Sequence, residues 1–151
     1  MSDPKYCDMP DIFHTFQVKS TPTKIFAGFT TSAGLDNWWT KSSVEDPQYD
    51  GVYTLNFGPQ YIWKAMVTLY KEFEEFEIQF TEADPDWVGT RMAITLTDKI
   101  EATEVSFSHT GWKENNGHFR TSAYCWAMYL RILKRYIESG EKVPYEKRLS
   151  V

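Results

Sequence analysis

The sequence of 151 residues predicts an α+β fold in which one curved antiparallel sheet wraps around a long C-terminal helix. Two patterns lead to this prediction. Between residues 12 and 110, short segments alternate apolar and polar side chains, which is typical of strands with one face in water. The last long segment instead repeats apolar residues at spacings of four and three, which indicates one amphipathic helix.

The N-terminal part predicts a strand and then two short helices. Residues 12–19 alternate as a strand with Ile12, His14, Phe16 and Val18 on one face. Residues 20–22 then supply a hydroxyl cap and a first-turn proline, which predict a short helix. A second hydroxyl pair at 31–32 can cap another short helix, which is expected to run through Leu35 to the adjacent Trp38 and Trp39.

Further strands follow these helices, so that about seven are expected in all. The clearest alternations lie at 51–57, 61–71, 75–81, 90–97 and 104–110. In 61–71, Lys64 and Thr68 are expected to face water, which assigns the opposite residues to the core: Trp63, Ala65, Val67 and Leu69.

The C-terminal helix is predicted from a single apolar stripe: Phe119, Ala123, Trp126, Leu130, Leu133 and Ile137. A stripe of this length needs about 20 residues and spans about 30 Å. Gly140 stands where a helix C-terminal cap is expected. Because this is the one long apolar helix predicted to cover the sheet, we expect a space between sheet and helix.

The aromatic content is high, at 17%, from 6 Trp, 9 Tyr and 10 Phe. Each buried ring covers about 200 Å², so these side chains present more flat apolar surface than an ordinary core requires. Two interpretations remain open at this point. Either the core is dense with rings, or the rings line a cavity.

Charge and short motifs exclude several classes of function. The net charge of −5, without clustered Lys or Arg, argues against nucleic-acid binding and against anionic lipid surfaces. No stretch is long and apolar enough for a transmembrane helix, and residues 1–11 lack signal-peptide features, so a cytoplasmic protein is expected. Cys7 and Cys125 form no spacing motif, and we expect no disulfide between them. Three scattered histidines without HExxH or CxxC predict neither a metal nor a cofactor.

Several short motifs occur in an order that resembles a known family. They are TPTKIFAGFTTSAGLDNWW after the first strand, GVYTLNFG, TEVSFSHTG, the helix segment YCW with residues 130–140, and PYEKRL near the end. In this order they resemble the START-like (SRPBCC) superfamily, and within it the family named for activators of heat shock protein 90 ATPase. The resemblance implies a helix-grip fold as one domain over residues 1–151, with 1–11 as an N-terminal extension and 141–151 as a C-terminal tail.

The resemblance leaves three functions open, because one fold hosts many activities. The superfamily includes lipid carriers, hormone receptors, plant stress proteins, polyketide cyclases and ring-hydroxylase subunits. The first hypothesis is a monomer or homodimer that binds a small hydrophobic or aromatic molecule between sheet and helix. The second is a cyclase, hydratase or hydrolase on the same cavity. The third is chaperone interaction through the outer surface, although the namesake co-chaperones carry an additional chaperone-binding N-terminal domain, whereas about a dozen residues precede the first strand here.

The histidines allow several interpretations. His14 and His109 lie on apolar strand faces, and the first and last strands are neighbours in the resembled fold, so both could reach one cavity. They could be core histidines with satisfied hydrogen bonds, groups that orient a ligand, or an acid–base pair. His118 is interpreted as a loop or cap residue, and Cys125 as an inert thiol.

Trp38 and Trp39 point about 100° apart on a helix, so one is expected to face inward and the other to lie near a rim, where it could gate a pocket. No catalytic residue is assigned. The predicted ligand pocket consists of inward-facing residues: His14, Phe16, Trp38, Trp39, Tyr53, Leu55, Phe57, Trp63, Phe76, Ile78, Phe80, Met92, Ile94, Phe107, His109, Trp126 and Leu130.

Overall fold

The computed structural model describes residues 10–151, which form a seven-stranded antiparallel sheet around a long helix. The strands are β1 (Ile12–Val18), β2 (Ser42–Val44), β3 (Val52–Asn56), β4 (Ile62–Lys71), β5 (Glu75–Glu82), β6 (Arg91–Lys99) and β7 (Ala102–Thr110). Their order in the sheet is β1-β7-β6-β5-β4-β3-β2. The predicted α+β helix-grip architecture is therefore confirmed, and so is the contact between the first and last strands that the family resemblance implied.

The helices are α1 (Pro22–Thr30), α2 (Ser32–Leu35) and α3 (Gly117–Ser139). Thr31, from the predicted hydroxyl pair, caps α2, because its Oγ1 accepts from the Gly34 N–H at 2.9 Å. Asn116 caps α3, because its Oδ1 accepts from the Phe119 N–H at 2.9 Å. Gly140 ends α3 at φ 74°, a left-handed conformation that glycine adopts without strain. Within residues 10–151, no helix is long and apolar enough to cross a membrane.

The second short helix is shorter than predicted. It ends at Leu35, because the carbonyl of Leu35 accepts the N–H groups of Trp38, Trp39 and Thr40 and so closes a compact turn. Trp38 and Trp39 therefore lie in this turn and not on a helix. The apolar pattern of the segment was correct, but it did not distinguish a helix from a turn that buries the same rings.

The inner face of β4 also differs from the prediction beyond Val67. A register shift between Val67 and Leu69 exchanges the inward-facing and outward-facing positions of the strand, so that Leu69 is 38% exposed. Tyr70 points inward instead, with its ring 5.5 Å from that of Phe26. A bulge of this kind adds one residue to a strand and leaves no trace in its apolar pattern.

The C-terminal segment packs against the body of the protein. Residues Tyr145–Ser150 form a 3₁₀-helix, and the Arg148 side chain is buried. Its guanidinium donates to the carbonyls of Asp36 at 2.6 Å and Thr40 at 3.0 Å. The end of the chain thus holds the turn that carries Trp38 and Trp39.

Candidate functional site

Aromatic side chains fill the space between the sheet and α3. Trp126, from the centre of α3, is 1% exposed, and its ring lies 4.7 Å from Phe107 and 5.1 Å from Trp39. Trp38 and Trp87 lie at 6.4 and 5.8 Å from the same ring. At these separations the rings contact one another directly. The interior is therefore a packed aromatic core.

His109 lies inside this core and forms a complete hydrogen-bond chain. Trp126 Nε1–H donates to His109 Nδ1 at 2.9 Å, so Nδ1 is the unprotonated nitrogen. His109 Nε2–H then donates to Thr90 Oγ1 at 2.7 Å, and that hydroxyl donates to the Trp87 carbonyl at 2.6 Å. Burial, with a smaller contribution from His118, lowers the pKa of His109 from 6.5 to about 3. His109 is thus a neutral core histidine with both nitrogens occupied.

His14 has a different environment. Its Nε2 lies 3.2 Å from the Ala123 carbonyl oxygen on α3, to which it donates, and its ring stacks on Phe107 at 6.3 Å between centroids. The ring is half-buried and lines an open groove. His109, by contrast, is fully buried and does not line this groove. The structure thus places one imidazole in the core and the other at a groove.

Two clefts flank α3 on opposite sides. The first, here called the tryptophan cleft, has a volume of about 190 Å³ and is lined by Trp39, Trp87, His118, Thr121, Ser122, Cys125, Trp126 and Tyr129. The second, here called the β1 groove, has a volume of about 250 Å³ and is lined by His14, Thr15, Phe16, Ala127, Leu130, Arg131 and Lys134. Both are smaller than the roughly 300–1,000 Å³ of sites for drug-sized ligands.

The polar groups of the tryptophan cleft are mostly uncharged. His118 Nδ1 lies 3.0 Å from Asp86 Oδ2, which fixes the orientation of the imidazole. Burial raises the pKa of Tyr129 to about 12 and also raises the pKa of the Cys125 thiol. The cleft thus combines aromatic walls, neutral hydroxyl and thiol groups, and one histidine–aspartate pair.

The predicted pocket residues divide into three groups. Trp39 and Trp126 line the tryptophan cleft, and His14, Phe16 and Leu130 line the β1 groove. The others contribute to the core: Trp38, Tyr53, Leu55, Phe57, Trp63, Phe76, Ile78, Phe80, Met92, Ile94, Phe107 and His109. Of the tryptophan pair, Trp38 is enclosed and donates from Nε1 to the Gly28 carbonyl at 2.9 Å, whereas Trp39 forms a cleft wall. That any of these residues contacts a ligand stays a prediction.

Sequence reasoning missed several lining residues. Trp87 lies in the β5–β6 turn, where no periodic pattern marks a residue as buried. His118, Ser122, Cys125 and Tyr129 repeat at four, three and four positions, so a second helical stripe beside the apolar one was the available signal. Trp87 and Trp112 each bury an indole N–H that has no hydrogen-bond acceptor among the described residues. Each of the two indole rings packs against other aromatic rings, and the centroids of the two lie 5.9 Å apart.

The predicted absence of a disulfide rests partly on Cys7, which lies outside the described residues. Cys125 is a half-buried free cysteine. Within residues 10–151, no group of three or more His, Cys, Asp or Glu side chains is arranged to hold a metal ion.

Three solved structures show how widely this fold is shared. The Aha1 dimer from Colwellia psychrerythraea is 27% identical, with a TM-score of 0.81 over 88% of this chain and 99% of that one. Protein SSP2350 from Staphylococcus saprophyticus is 17% identical, with a TM-score of 0.75 over 89% of this chain and 96% of that one. CalU16 from Micromonospora echinospora is 12% identical, with a TM-score of 0.72 over 91% of this chain and 83% of that one. SSP2350 and CalU16 support the likeness of the fold alone.

A comparison with curated proteins found no match. The sequence model of the family described as Activator of Hsp90 ATPase homolog 1-like protein, however, matches residues 19–138, which run from just after β1 to the last turn of α3. The sequence-based prediction of this family is therefore confirmed. The chain belongs to the Activator of Hsp90 ATPase homolog 1-like family and has its START-like helix-grip fold.

Proposed function

We propose that the protein binds a small aromatic molecule in the tryptophan cleft. The observation that carries this proposal is the composition of the cleft wall, to which Trp39, Trp87, Trp126 and Tyr129 contribute. Aromatic walls favour planar ligands, because offset and edge-to-face ring contacts add to the burial of apolar surface. A ligand that buries about 150 Å² of apolar surface gains about 4 kcal/mol at about 25 cal/mol/Å², before its ordering costs.

The volume of the cleft limits the size of the ligand. The space of about 190 Å³ corresponds to about six water molecules at about 30 Å³ each. One or two fused rings satisfy this limit, whereas a sterol-sized molecule requires Trp39 or Trp126 to move. Both tryptophans pack closely on the core, so the proposal favours the smaller ligand class.

The polar groups of the cleft support a ligand with one hydrogen-bonding substituent. Asp86 holds His118 through Nδ1, which leaves Nε2 as the nitrogen available to a ligand. Thr121 and Ser122, which carry hydroxyl groups, also line the cleft. A phenol or an indole supplies a donor for these acceptors while its ring lies against the tryptophans.

The first test is native mass spectrometry of protein taken directly from cells, followed by titration with small phenols and indoles. Because three cleft walls are tryptophans, binding should change the intrinsic fluorescence and raise the melting temperature. Thr121→Trp, which places a large side chain into the cleft, should abolish both effects. Tyr124→Trp adds an indole on the exposed face of the same helix and should leave binding unchanged. Apo protein in every sample, or equal binding by the two variants, contradicts the proposal.

Acid–base chemistry on the bound molecule is a second candidate function, favoured by the histidine–aspartate pair at the cleft. A carboxylate that orients an imidazole is a common arrangement for a general base. His118→Gln should then retain ligand binding while the mass of the bound molecule changes from product to substrate. An identical ligand mass in wild type and variant argues for a carrier.

The family name suggests chaperone interaction as another outcome of these tests. If an Hsp90-type chaperone co-purifies with the protein and Thr121→Trp leaves that interaction intact, the outer surface is the functional one. In that case the absence of any cleft ligand would contradict the proposed function directly.

A further inference from the structure

The β1 groove lies on the flank of α3 opposite the tryptophan cleft, and the two clefts share no lining residue. Phe16 from β1 and Leu130 and Ala127 from α3 supply its apolar surface. Arg131 and Lys134 follow on the same side of the helix, at spacings of one and four from Leu130. The groove thus combines an apolar surface with a cationic border in a chain of net charge −5.

The two cations differ in how they are paired. Lys134 Nζ donates to the Gln17 carbonyl at 2.5 Å and lies 3.3 Å from Glu138 Oε2, so its charge is matched. Glu138 in turn accepts from the Lys19 N–H at 2.7 Å. Arg131 takes part in no ion pair within the described chain. The groove therefore has one unmatched positive charge, on an exposed guanidinium.

The free edge of β1 adds a backbone donor. Among the strands of residues 10–151, β1 pairs with β7 alone, and its other edge faces α3. The Gln17 carbonyl points toward this free edge, because Lys134 reaches it. In an antiparallel strand every second residue points its N–H and C=O to the same side, so Thr15 directs its backbone groups to the free edge as well. Thr15 lines the groove, which brings an N–H donor to its surface.

Together, the apolar surface, the unmatched cation and the backbone donor indicate the chemistry of a ligand. We propose that the β1 groove binds a small carboxylic acid with an apolar body, as a site separate from the tryptophan cleft. The carboxylate accepts from the Arg131 guanidinium and the Thr15 N–H, while the apolar body lies on Phe16 and Leu130. The volume of about 250 Å³ is that of about eight water molecules, which suits a medium-chain acid.

The test is a calorimetric titration of the whole protein with octanoate, with octanol as the uncharged probe of equal chain length. Octanoate should bind, and Arg131→Gln should weaken it by about tenfold or more, because a charge-assisted hydrogen bond is lost. Arg135→Gln removes the same charge one turn further along α3, outside the groove, and should leave the affinity unchanged. Equal losses of octanoate affinity in Arg131→Gln and Arg135→Gln, or equal binding of octanol and octanoate, overturn the proposal.

A second measurement locates the binding site independently of any loss of stability. In ¹H–¹⁵N NMR spectra, octanoate should shift the amides of Thr15, Phe16 and Arg131. Thr121→Trp, which blocks the tryptophan cleft, should leave these shifts unchanged. Shifts confined to Trp39 and Trp126 would assign octanoate to the tryptophan cleft, and this result would refute a separate site without refuting the proposed function.

Discussion

His109 shows how a single residue acquires its role from its surroundings. On β7 it occupies a position where the alternation calls for an apolar side chain, and it is fully buried. Burial of a polar ring is tolerated because Trp126 and Thr90 satisfy its two nitrogens. The same contacts fix the imidazole as the Nε2–H tautomer. His109 thus aligns α3 with the sheet and with the Trp87 turn.

The lowered pKa of His109 predicts a loss of stability in mild acid. The folded pKa of about 3 lies below the unfolded value of 6.5, so the unfolded chain takes up a proton first as the pH falls. The contribution of neutral, buried His109 to the stability of the fold is fully present above pH 6.5 and declines from there toward pH 3. At pH 5 the loss is about 2 kcal/mol, from about 1.36 kcal/mol per pH unit. Urea unfolding at pH 7.5 and 5 should show this difference.

His109→Asn provides the comparison for the acid effect. The variant is expected to be less stable at neutral pH, because one side of the hydrogen-bond chain loses its partner. Its free energy of unfolding should fall about 2 kcal/mol less between pH 7.5 and 5 than that of the wild type. Imidazole NMR signals of His109 that titrate near pH 6.5 would show that the residue is not buried as described.

At the scale of elements, α3 carries three stripes with different roles. The central one packs on the sheet, as its apolar spacing predicts. The two flanks, from His118 to Tyr129 and from Ala127 to Lys134, line the two clefts. The sequence showed the central stripe because its residues are uniformly apolar. The flanks mix apolar, polar and charged residues, and only their neighbours on β1 and in the turns make them clefts.

The corner between α1 and α2 depends on a close backbone contact. A Cβ atom on Gly34 would lie 2.7 Å from the Gly28 Cα and still closer to the Ala27 carbonyl oxygen. Backbone atoms at such distances move only if the helices separate. We expect Gly34→Ala to destabilise the protein by about 2–3 kcal/mol in chemical unfolding, as overpacking does in a dense core.

Gly117 is the matched control for this prediction. Apart from its chain neighbours and the backbone of α3 itself, no described atom lies within 4 Å of a Cβ built on Gly117, at the start of α3. Gly117→Ala should therefore change stability by no more than about 1 kcal/mol, and any change should be favourable, because alanine loses less entropy in a helix. Similar losses of stability in Gly34→Ala and Gly117→Ala would disprove the steric explanation.

At the scale of the whole molecule, both ends of the described chain are used to hold the core together. β1 pairs with β7 at one edge of the sheet, so residues almost 100 positions apart become neighbours. The C-terminal 3₁₀-helix anchors the tryptophan turn through Arg148, which donates to three carbonyls, those of Asp36, Thr40 and Val143. The predicted C-terminal tail is thus a structural part of the tryptophan side of the fold.

Arg148→Lys tests this anchor. One ammonium does not span three carbonyls that a planar guanidinium reaches together, so buried acceptors lose their donors. The expected destabilisation is about 1.5–3 kcal/mol in chemical unfolding. Because the turn also carries Trp39, ligand binding in the tryptophan cleft should weaken as well. Arg135→Lys, at an exposed position of α3, serves as the control, and an equal effect there would contradict the role of the anchor.

The order of the predicted strands and helices, the inward faces of five strands and of β4 up to Val67, and the stripe of α3 follow from local periodicity, because a strand and a helix repeat at different intervals. Turn residues such as Trp87, the bulge before Leu69 and the burial of Arg148 have no local periodic signal, since each depends on residues distant in the sequence. The high aromatic content shows the same division between what local sequence indicates and what depends on distant residues. Composition indicated many buried rings, but whether they left one large cavity depended on how rings from distant segments met. Because they pack on Trp126 and on one another, the space between the sheet and α3 is filled, and the two clefts that α3 lines lie on its flanks.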